Sequence, residues 1–168
     1  SFVPEVLVQD QAVNGLNVTS GVKKGDYVVV KKQELITNGT FDTDTSGWTL
    51  TTDFSTYNAS NQSISVNNQT GSTNQAFQQY SVYILGKKNT VKYTVSNYTS
   101  GSIRVSFFNG SAYVYGRTVT ANGTYIDTLD VTASSQQHIR FEVVNNTVLE
   151  VDNISVQLAD DTYRAIQD

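Results

Sequence analysis

The sequence predicts an all-β sandwich, and three observations lead to this prediction. From Glu34 onward, short segments rich in β-branched and aromatic residues recur at intervals of roughly ten residues, the spacing of sandwich strands. Gly and Asn clusters separate these segments, as turns do. The chain has ten Tyr and seven Phe but only 15% charged residues, and it contains no convincing amphipathic helix, so composition also favours strands.

Three segments alternate strictly between apolar and polar residues, which predicts strands with one buried and one solvent-facing side. The residues predicted to face the core are Val91, Tyr93 and Val95, then Ile103, Val105 and Phe107, and finally Ile139, Phe141 and Val143. Their polar neighbours are therefore expected on the outer faces of the sheets.

The remaining strands are predicted from β-type composition between turn signals such as Asn38-Gly39, Ser100-Gly101 and Asn122-Gly123. In chain order, the predicted strands span residues 34–37, 47–52, 62–67, 76–85, 90–97, 102–108, 112–119, 124–131, 137–144 and 148–158.

Residues 1–33 are predicted to form a separate N-terminal arm for docking or assembly. Two apolar runs, 6–8 and 27–30, flank turn signals, a pattern that fits either a β-hairpin or a strand that pairs with a neighbouring subunit. The sandwich is expected over residues 34–159, followed by a C-terminal tail or linker at 160–168. This ending favours the interpretation that the sequence is part of a longer protein.

Composition excludes several classes of function. The chain has no cysteine, which excludes disulfides and thiol chemistry. Its net charge of -4 argues against nucleic-acid binding, because such domains are usually basic. No apolar run approaches ~18 residues, the length that predicts a membrane-spanning helix, so membrane insertion is not expected.

Catalytic motifs are also lacking, so the sequence predicts a protein that is not an enzyme. His138 is the single histidine, and no Gly-x-Ser-x-Gly sequence presents a nucleophilic serine. No phosphate-binding Gly-x-x-x-x-Gly-Lys sequence occurs either. Pairs of acidic residues exist, but nothing in the sequence places two of them across a groove, as glycoside hydrolysis requires.

Two motifs carry a resemblance to a known family. The stretch ELITNGTFD at residues 34–42, followed by Ser46-Gly47-Trp48, resembles the opening of carbohydrate-binding modules of families four, nine and twenty-two. The segment LEVDNISV at residues 149–156 resembles the last strand of those modules. The resemblance implies a galactose-binding-like jelly-roll sandwich. The stretch at 38–48 and the C-terminal residues 163–168 also resemble virion surface proteins of tailed bacteriophages.

The resemblance further implies a structural calcium ion that ties the first strand to the last. Asp42 and Asp152 match the positions of its ligands, and two carboxylates with backbone carbonyls suit a hard cation. Asp42 stands where the family mostly has Glu, so its reach is shorter. The alternative is that both residues are solvated acids near the end of a sheet.

Candidate ligand-binding residues are the aromatic and hydrogen-bonding side chains on the predicted outer faces. Sugar-binding sandwiches stack an aromatic ring on a pyranose and fix its hydroxyls with polar side chains. The candidates are Tyr83, Arg104, Tyr113, Tyr115, Arg117, His138 and Arg140. The alternative for each is a packing partner or a surface residue of the sheet.

Two functions therefore remain open for the sequence. One is a non-catalytic glycan-binding module of an extracellular or virion surface protein, which binds glycans or mediates attachment. The other is a structural subunit of a virion or surface filament, which uses the sandwich for assembly without binding sugar. Its partners would be neighbouring subunits, and a virion-associated chain is expected to form a homo-oligomer.

Overall fold

The computed structural model describes residues 5–8, 27–32, 34–80, 87–108, 112–131, 138–158 and 162–164. Every regular element in these ranges is a strand. In chain order the strands are β1 (Glu5–Val8), β2 (Tyr27–Lys32), β3 (Thr49–Leu50), β4 (Ser55–Asn58), β5 (Ser63–Asn68), β6 (Asn74–Tyr80), β7 (Lys87–Ser100), β8 (Ile103–Phe108), β9 (Tyr113–Tyr115), β10 (Gly123–Val131), β11 (His138–Val143), β12 (Thr147–Leu158) and β13 (Thr162–Arg164). The part of the chain that the structure describes contains no helix long and apolar enough to cross a membrane.

Ten strands form two five-stranded antiparallel sheets. Sheet I has the order β10-β7-β12-β5-β4, and sheet II has the order β3-β6-β11-β8-β9. Strands that follow one another in the chain repeatedly lie in opposite sheets, as in a jelly roll. The predicted all-β jelly-roll sandwich is confirmed.

The core lies between the two sheets and is rich in aromatic side chains. Phe141 of sheet II stacks on Phe77, with ring centroids 4.7 Å apart, and meets Tyr93 of sheet I edge-on at 5.2 Å. Trp48 contacts both Phe41 and Phe77 at 5.7 Å. The residues that alternation placed inside are all buried, so the inner faces of β7, β8 and β11 are those the sequence predicts.

The Asn38-Gly39 turn joins the start of the sandwich to its last strand. Asn38 adopts a left-handed backbone with a φ of 49°. Gly39 is needed for a different reason: a Cβ there would lie 1.9 Å from the carbonyl oxygen of Ile154. The Ile154 N–H donates to the Gly39 carbonyl at 2.8 Å, and the two motifs of the resemblance are therefore in direct contact.

A third, three-stranded sheet has the order β1-β2-β13. β1 pairs with β2 in parallel, whereas a hairpin pairs its strands antiparallel, so these two runs do not form the hairpin that was one alternative for the arm. β13 lies within the predicted C-terminal tail and pairs antiparallel with β2. The boundaries of the predicted arm, sandwich and tail, and the docking role of the arm, stay predictions.

Several strand boundaries differ from the prediction. Residues 34–37 do not form a strand, although the Leu35 N–H donates to the Val156 carbonyl at 2.8 Å. β4 was not predicted, because its sequence Ser-Thr-Tyr-Asn is polar and resembles a loop. The strand predicted at 112–119 shortens to Tyr113–Tyr115; beyond it only the Gly116 N–H, which donates to the Val105 carbonyl at 2.8 Å, and an isolated bridge between Val119 and Ile103 continue the pairing with β8.

Candidate functional site

The outer face of sheet II brings together most of the predicted ligand-binding residues. We call it the aromatic–arginine face; its members are Arg104, Phe108, Tyr113, Tyr115, His138 and Arg140. The strand register explains the grouping. Arg140 of β11 is opposite Ser106 of β8, which is opposite Tyr115 of β9. Two residues away along each strand, and therefore on the same side of the sheet, His138 is opposite Phe108, which is opposite Tyr113. Residues opposite one another on neighbouring strands point to the same side of a sheet.

Two tyrosine rings form the centre of the face. The rings of Tyr113 and Tyr115 are 5.9 Å apart between centroids, with 28° between their planes. Tyr115 is 43% exposed, which makes it one of the few large apolar side chains that the described residues present to solvent. The two rings provide a flat surface beside which hydrogen-bonding groups are concentrated.

An arginine lies against each tyrosine ring. The guanidinium carbon of Arg104 is 3.8 Å from the centre of the Tyr115 ring, and that of Arg140 is 4.8 Å from the centre of the Tyr113 ring. Arg140 also donates a hydrogen bond from Nη1 to the hydroxyl of Tyr113. Such cation–π contacts contribute about 0.5–1 kcal/mol each at exposed sites and orient the rings.

The two arginines differ in their acidic partners. Arg104 donates from Nε and Nη2 to Oε2 of Glu142, both at 3.0 Å, in an ion pair on the same face. Arg140 has no carboxylate partner among the described residues, and its buried Nε has no hydrogen-bond acceptor there. A small hollow of about 210 Å³ beside the Arg104–Glu142 pair extends the polar part of the face.

His138 forms the buried edge of the face. Its ring stacks on Phe108 with centroids 5.0 Å apart, and Tyr113 meets it edge-on at 6.4 Å. Burial lowers the pKa of His138 below its ordinary value, so the imidazole is neutral at pH 7. His138 therefore adds aromatic surface to the face but no charge.

Arg117 is not brought into this face. Its Nε donates to Oδ1 of Asp127 at 2.8 Å and its Nη2 donates to the Ile126 carbonyl at 2.6 Å. Arg117 follows β9 of sheet II and Asp127 lies in β10 of sheet I, so the ion pair joins the edges of the two sheets. Tyr83 lies outside the described residues, and its candidacy stays a prediction.

Phe108 and Glu142 are not among the ligand-binding residues predicted from the sequence. Both occupy outer-face positions of the same alternation that was used for Arg104 and Arg140, so the signal was present. Phe108 was overlooked because apolar residues were assigned to the core, and Glu142 because its partner Arg104 becomes apparent only from the pairing of β8 with β11.

A larger hollow, of about 690 Å³, lies on the other sheet. Its lining includes Asn38, Lys92, Thr94, Thr124 and Asn153. Among its described lining residues there is no aromatic side chain, so it lacks a surface on which a sugar ring could stack.

Asp42 and Asp152, the predicted calcium ligands, lie close enough to interact electrostatically. Burial is the main cause that raises the pKa of Asp152; the 2.6 Å hydrogen bond from the Asn153 N–H opposes it, and the charge of Asp42 adds to it. Two mutually repelling carboxylates are a donor set that suits Ca²⁺. Within the described ranges no third acidic or histidine side chain joins them, so any further ligands would be carbonyls or water.

No protein-family model and no curated protein matches the chain. Solved structures do match. The CBM22-1 xylan-binding domain of Paenibacillus barcinonensis Xyn10C is 14% identical, with a TM-score of 0.58 over 84% of this chain and 99% of that one. A xylan-binding domain from CBM 22 is 16% identical, with a TM-score of 0.51 over 72% of this chain and 92% of that one.

A module of another family shares the same architecture. The family 16 carbohydrate-binding module-2 is 14% identical, with a TM-score of 0.51 over 73% of this chain and 98% of that one. At these identities the likeness establishes the fold: the chain has the jelly-roll sandwich found in carbohydrate-binding modules. What it binds has to be argued from its own surface.

Proposed function

We propose that the chain is a non-catalytic glycan-binding module and that its binding site is the aromatic–arginine face. The observation that carries this proposal is the pair of near-parallel tyrosine rings, Tyr113 and Tyr115, flanked by Arg104 and Arg140. Pyranose rings have an apolar side that packs on aromatic surfaces and a rim of hydroxyls that accept hydrogen bonds from guanidinium groups. Two structural neighbours are described as xylan-binding domains, and they support the glycan-binding role.

A binding role fits the face better than hydrolysis does. Glycosidases use two carboxyl groups on either side of the scissile bond, separated by about 5–9.5 Å. Glu142 is the carboxylate that the described residues place on this face, and it is held in an ion pair by Arg104. A single neutralised carboxylate supports a face that holds a glycan without cleaving it.

The cellular context is also a proposal. A module of this kind would act outside a cell or on a virion surface, where it mediates attachment to glycans. The second candidate, a structural virion or filament subunit, is favoured by one observation: β13 after the sandwich pairs with β2 before it. Chain segments on both sides of the sandwich thus form a separate sheet, and assembly into a homo-oligomer through that sheet stays a prediction.

The proposed function is tested with a glycan array followed by titration calorimetry on the best ligand. Tyr115→Ala is expected to lower the affinity at least tenfold, about 1.4 kcal/mol, because it removes the most exposed ring of the face. Ile126→Ala is the matched control, since Ile126 is a 51% exposed apolar residue of sheet I. No binding to any glycan, or equal losses in both variants, would contradict the proposal.

We also propose that Asp42 and Asp152 hold a structural calcium ion. Millimolar Ca²⁺ is expected to raise the melting temperature of the wild type, because an ion that binds only the folded state stabilises it. Asp152→Asn is expected to abolish this increment without lowering the melting temperature in chelator, since the substitution removes a charge that burial and Asp42 disfavour. Asp53→Asn, at an exposed acid elsewhere, should retain the calcium effect. An unchanged melting temperature with Ca²⁺ would contradict the proposal.

A further inference from the structure

The described residues of the aromatic–arginine face carry a net positive charge, although the whole chain has a net charge of -4. Arg104 and Glu142 neutralise one another across 3.0 Å. His138 is neutral at pH 7, because burial lowers its pKa. Arg140 is then the one charge on the described part of the face that no carboxylate balances.

The adjoining segments of sequence supply no compensating acid. The segment after β6 is Ser-Val-Tyr-Ile-Leu-Gly, the segment after β8 is Asn-Gly-Ser, and the segment before β11 is Thr-Ala-Ser-Ser-Gln-Gln. None of them contains Asp or Glu. The side chains opposite Arg140 on the neighbouring strands are those of Ser106 and Gln78, which are neutral. These three segments therefore cannot balance the positive charge of Arg140, and no described carboxylate pairs with it.

The surroundings of Arg140 also pre-organise its guanidinium group for binding an anion. The guanidinium lies against the Tyr113 ring and bonds the Tyr113 hydroxyl, so much of its conformational freedom is already lost. Its planar fork of donors matches a carboxylate or sulfate better than it matches a single hydroxyl. At physiological ionic strength the screening length is about 8 Å, so a bound anion experiences this contact far more than the distant acidic residues.

We propose that the face selects anionic glycans, chains that carry uronic-acid carboxylates or sulfate groups, with Arg140 as the residue that contacts the anion. This inference rests on the proposed glycan-binding function and narrows its ligand class. The Tyr113–Tyr115 surface would pack on the sugar ring, while Arg140 pairs with the charged substituent of that ring or of its neighbour. Arg104, held by Glu142, would contact neutral hydroxyls.

The test uses pairs of ligands that differ only in charge. One pair is oligogalacturonate and its methyl ester; the other is xylotetraose with and without a glucuronic acid branch. We expect the acidic member of at least one pair to bind at least tenfold more tightly at 50 mM NaCl, and this ratio to fall as salt is raised. A sulfated glycan beside its desulfated form on the array distinguishes the two kinds of anion.

Arg140→Gln is expected to bring the acidic-to-neutral ratio close to one, and Arg140→Lys to retain part of it, since Lys keeps the charge but not the fork. Lys92→Gln is the matched control, because Lys92 is an exposed cation on sheet I. Equal binding of acidic and neutral members would overturn the inference and leave the glycan-binding function standing. If Lys92→Gln lost the preference for acidic ligands, the anion would bind in the larger hollow, which Lys92 lines, and the inference would be overturned as well. Failure to bind any glycan would refute both.

Discussion

Replacing Trp48 with alanine is expected to destabilise the sandwich by about 3–5 kcal/mol, the cost of truncating a large buried aromatic. Trp48 is only 8% exposed and contacts Phe41 and Phe77. Its indole Nε1 also donates to the carbonyls of Thr37 and Asn38, at 3.1 and 3.0 Å. The substitution thus opens a cavity and removes the indole donor from the Asn38 carbonyl, while the Thr37 carbonyl keeps its hydrogen bond from Gln79 Nε2 at 3.0 Å.

Trp48→Phe separates these two contributions. Phenylalanine keeps most of the ring but loses the N–H donor, so a smaller loss of about 1–2 kcal/mol is expected. The measurement is urea unfolding followed by circular dichroism, because Trp48 is the only tryptophan and its fluorescence disappears in both variants. Tyr115→Ala, at a partly exposed ring, should cost about 1 kcal/mol or less, chiefly the cation–π contact with Arg104. A Trp48→Ala protein as stable as the wild type would contradict the packing described here.

Neutralising Glu150 is expected to cost about 2–4 kcal/mol at pH 7, because hydrogen bonds to a buried charge contribute more than neutral ones. Glu150 is 9% exposed on β12. Its carboxylate accepts hydrogen bonds from four neutral side chains at distances of 2.9–3.2 Å: those of Asn58, Asn61, Ser63 and Ser65. Among the described residues no Lys, Arg or His forms an ion pair with it. In Glu150→Gln, one carboxylate oxygen is replaced by an NH2 group, which is itself a donor and cannot accept hydrogen bonds from these side chains.

The same residue gives the stability a predictable pH dependence. Burial alone would raise the pKa of Glu150, but the hydrogen bonds from its neutral donors, those of Asn61 and Ser63 first, outweigh it and lower the pKa below the ordinary value of 4.5. A lowered folded-state pKa stabilises the protein above the unfolded-state value, and this contribution is lost as the pH falls through the folded-state value. The stability difference between wild type and Glu150→Gln should therefore be constant near neutrality and shrink below about pH 4.5.

Glu34→Gln is the matched control for this prediction. Glu34 also accepts hydrogen bonds from neutral donors, including Ser155 Oγ and the Val156 N–H, but it is exposed to solvent. Its replacement is expected to cost less than about 1 kcal/mol. Unfolding curves for both variants from pH 3 to pH 8 provide the test. If Glu150→Gln matched the wild type throughout, the donors around Glu150 would not be stabilising a buried charge.

Local patterns in the sequence were sufficient for the sandwich, because strand periodicity depends only on nearby residues. The alternation at 103–107 and 139–143 placed the core residues of β8 and β11 correctly. It failed for β4, whose polar sequence forms a strand because β5 pairs with it. The parallel pairing of β1 with β2 is likewise set by contacts between distant segments, which no local pattern encodes.

The candidate site was predictable in part for the same reason. Alternation placed Arg104, His138 and Arg140 on outer faces, and the structure brings them to one face of sheet II. The exclusion of Arg117 depends on Asp127, a residue of the other sheet. The difference between a neutralised Arg104 and an unbalanced Arg140 depends on which strand lies beside which, and this follows only from the assembled fold.

The claim that glycan binds on the aromatic–arginine face is tested most directly by mapping amide chemical shifts during a titration. The ligand is the tightest-binding oligosaccharide from the array, added to ¹⁵N-labelled protein. The predicted result is that the largest shifts fall in β8, β9 and β11, on the residues around Tyr113, Tyr115 and Arg140. Shifts concentrated around Lys92, Thr94 and Asn153, with these three strands unchanged, would contradict the claim.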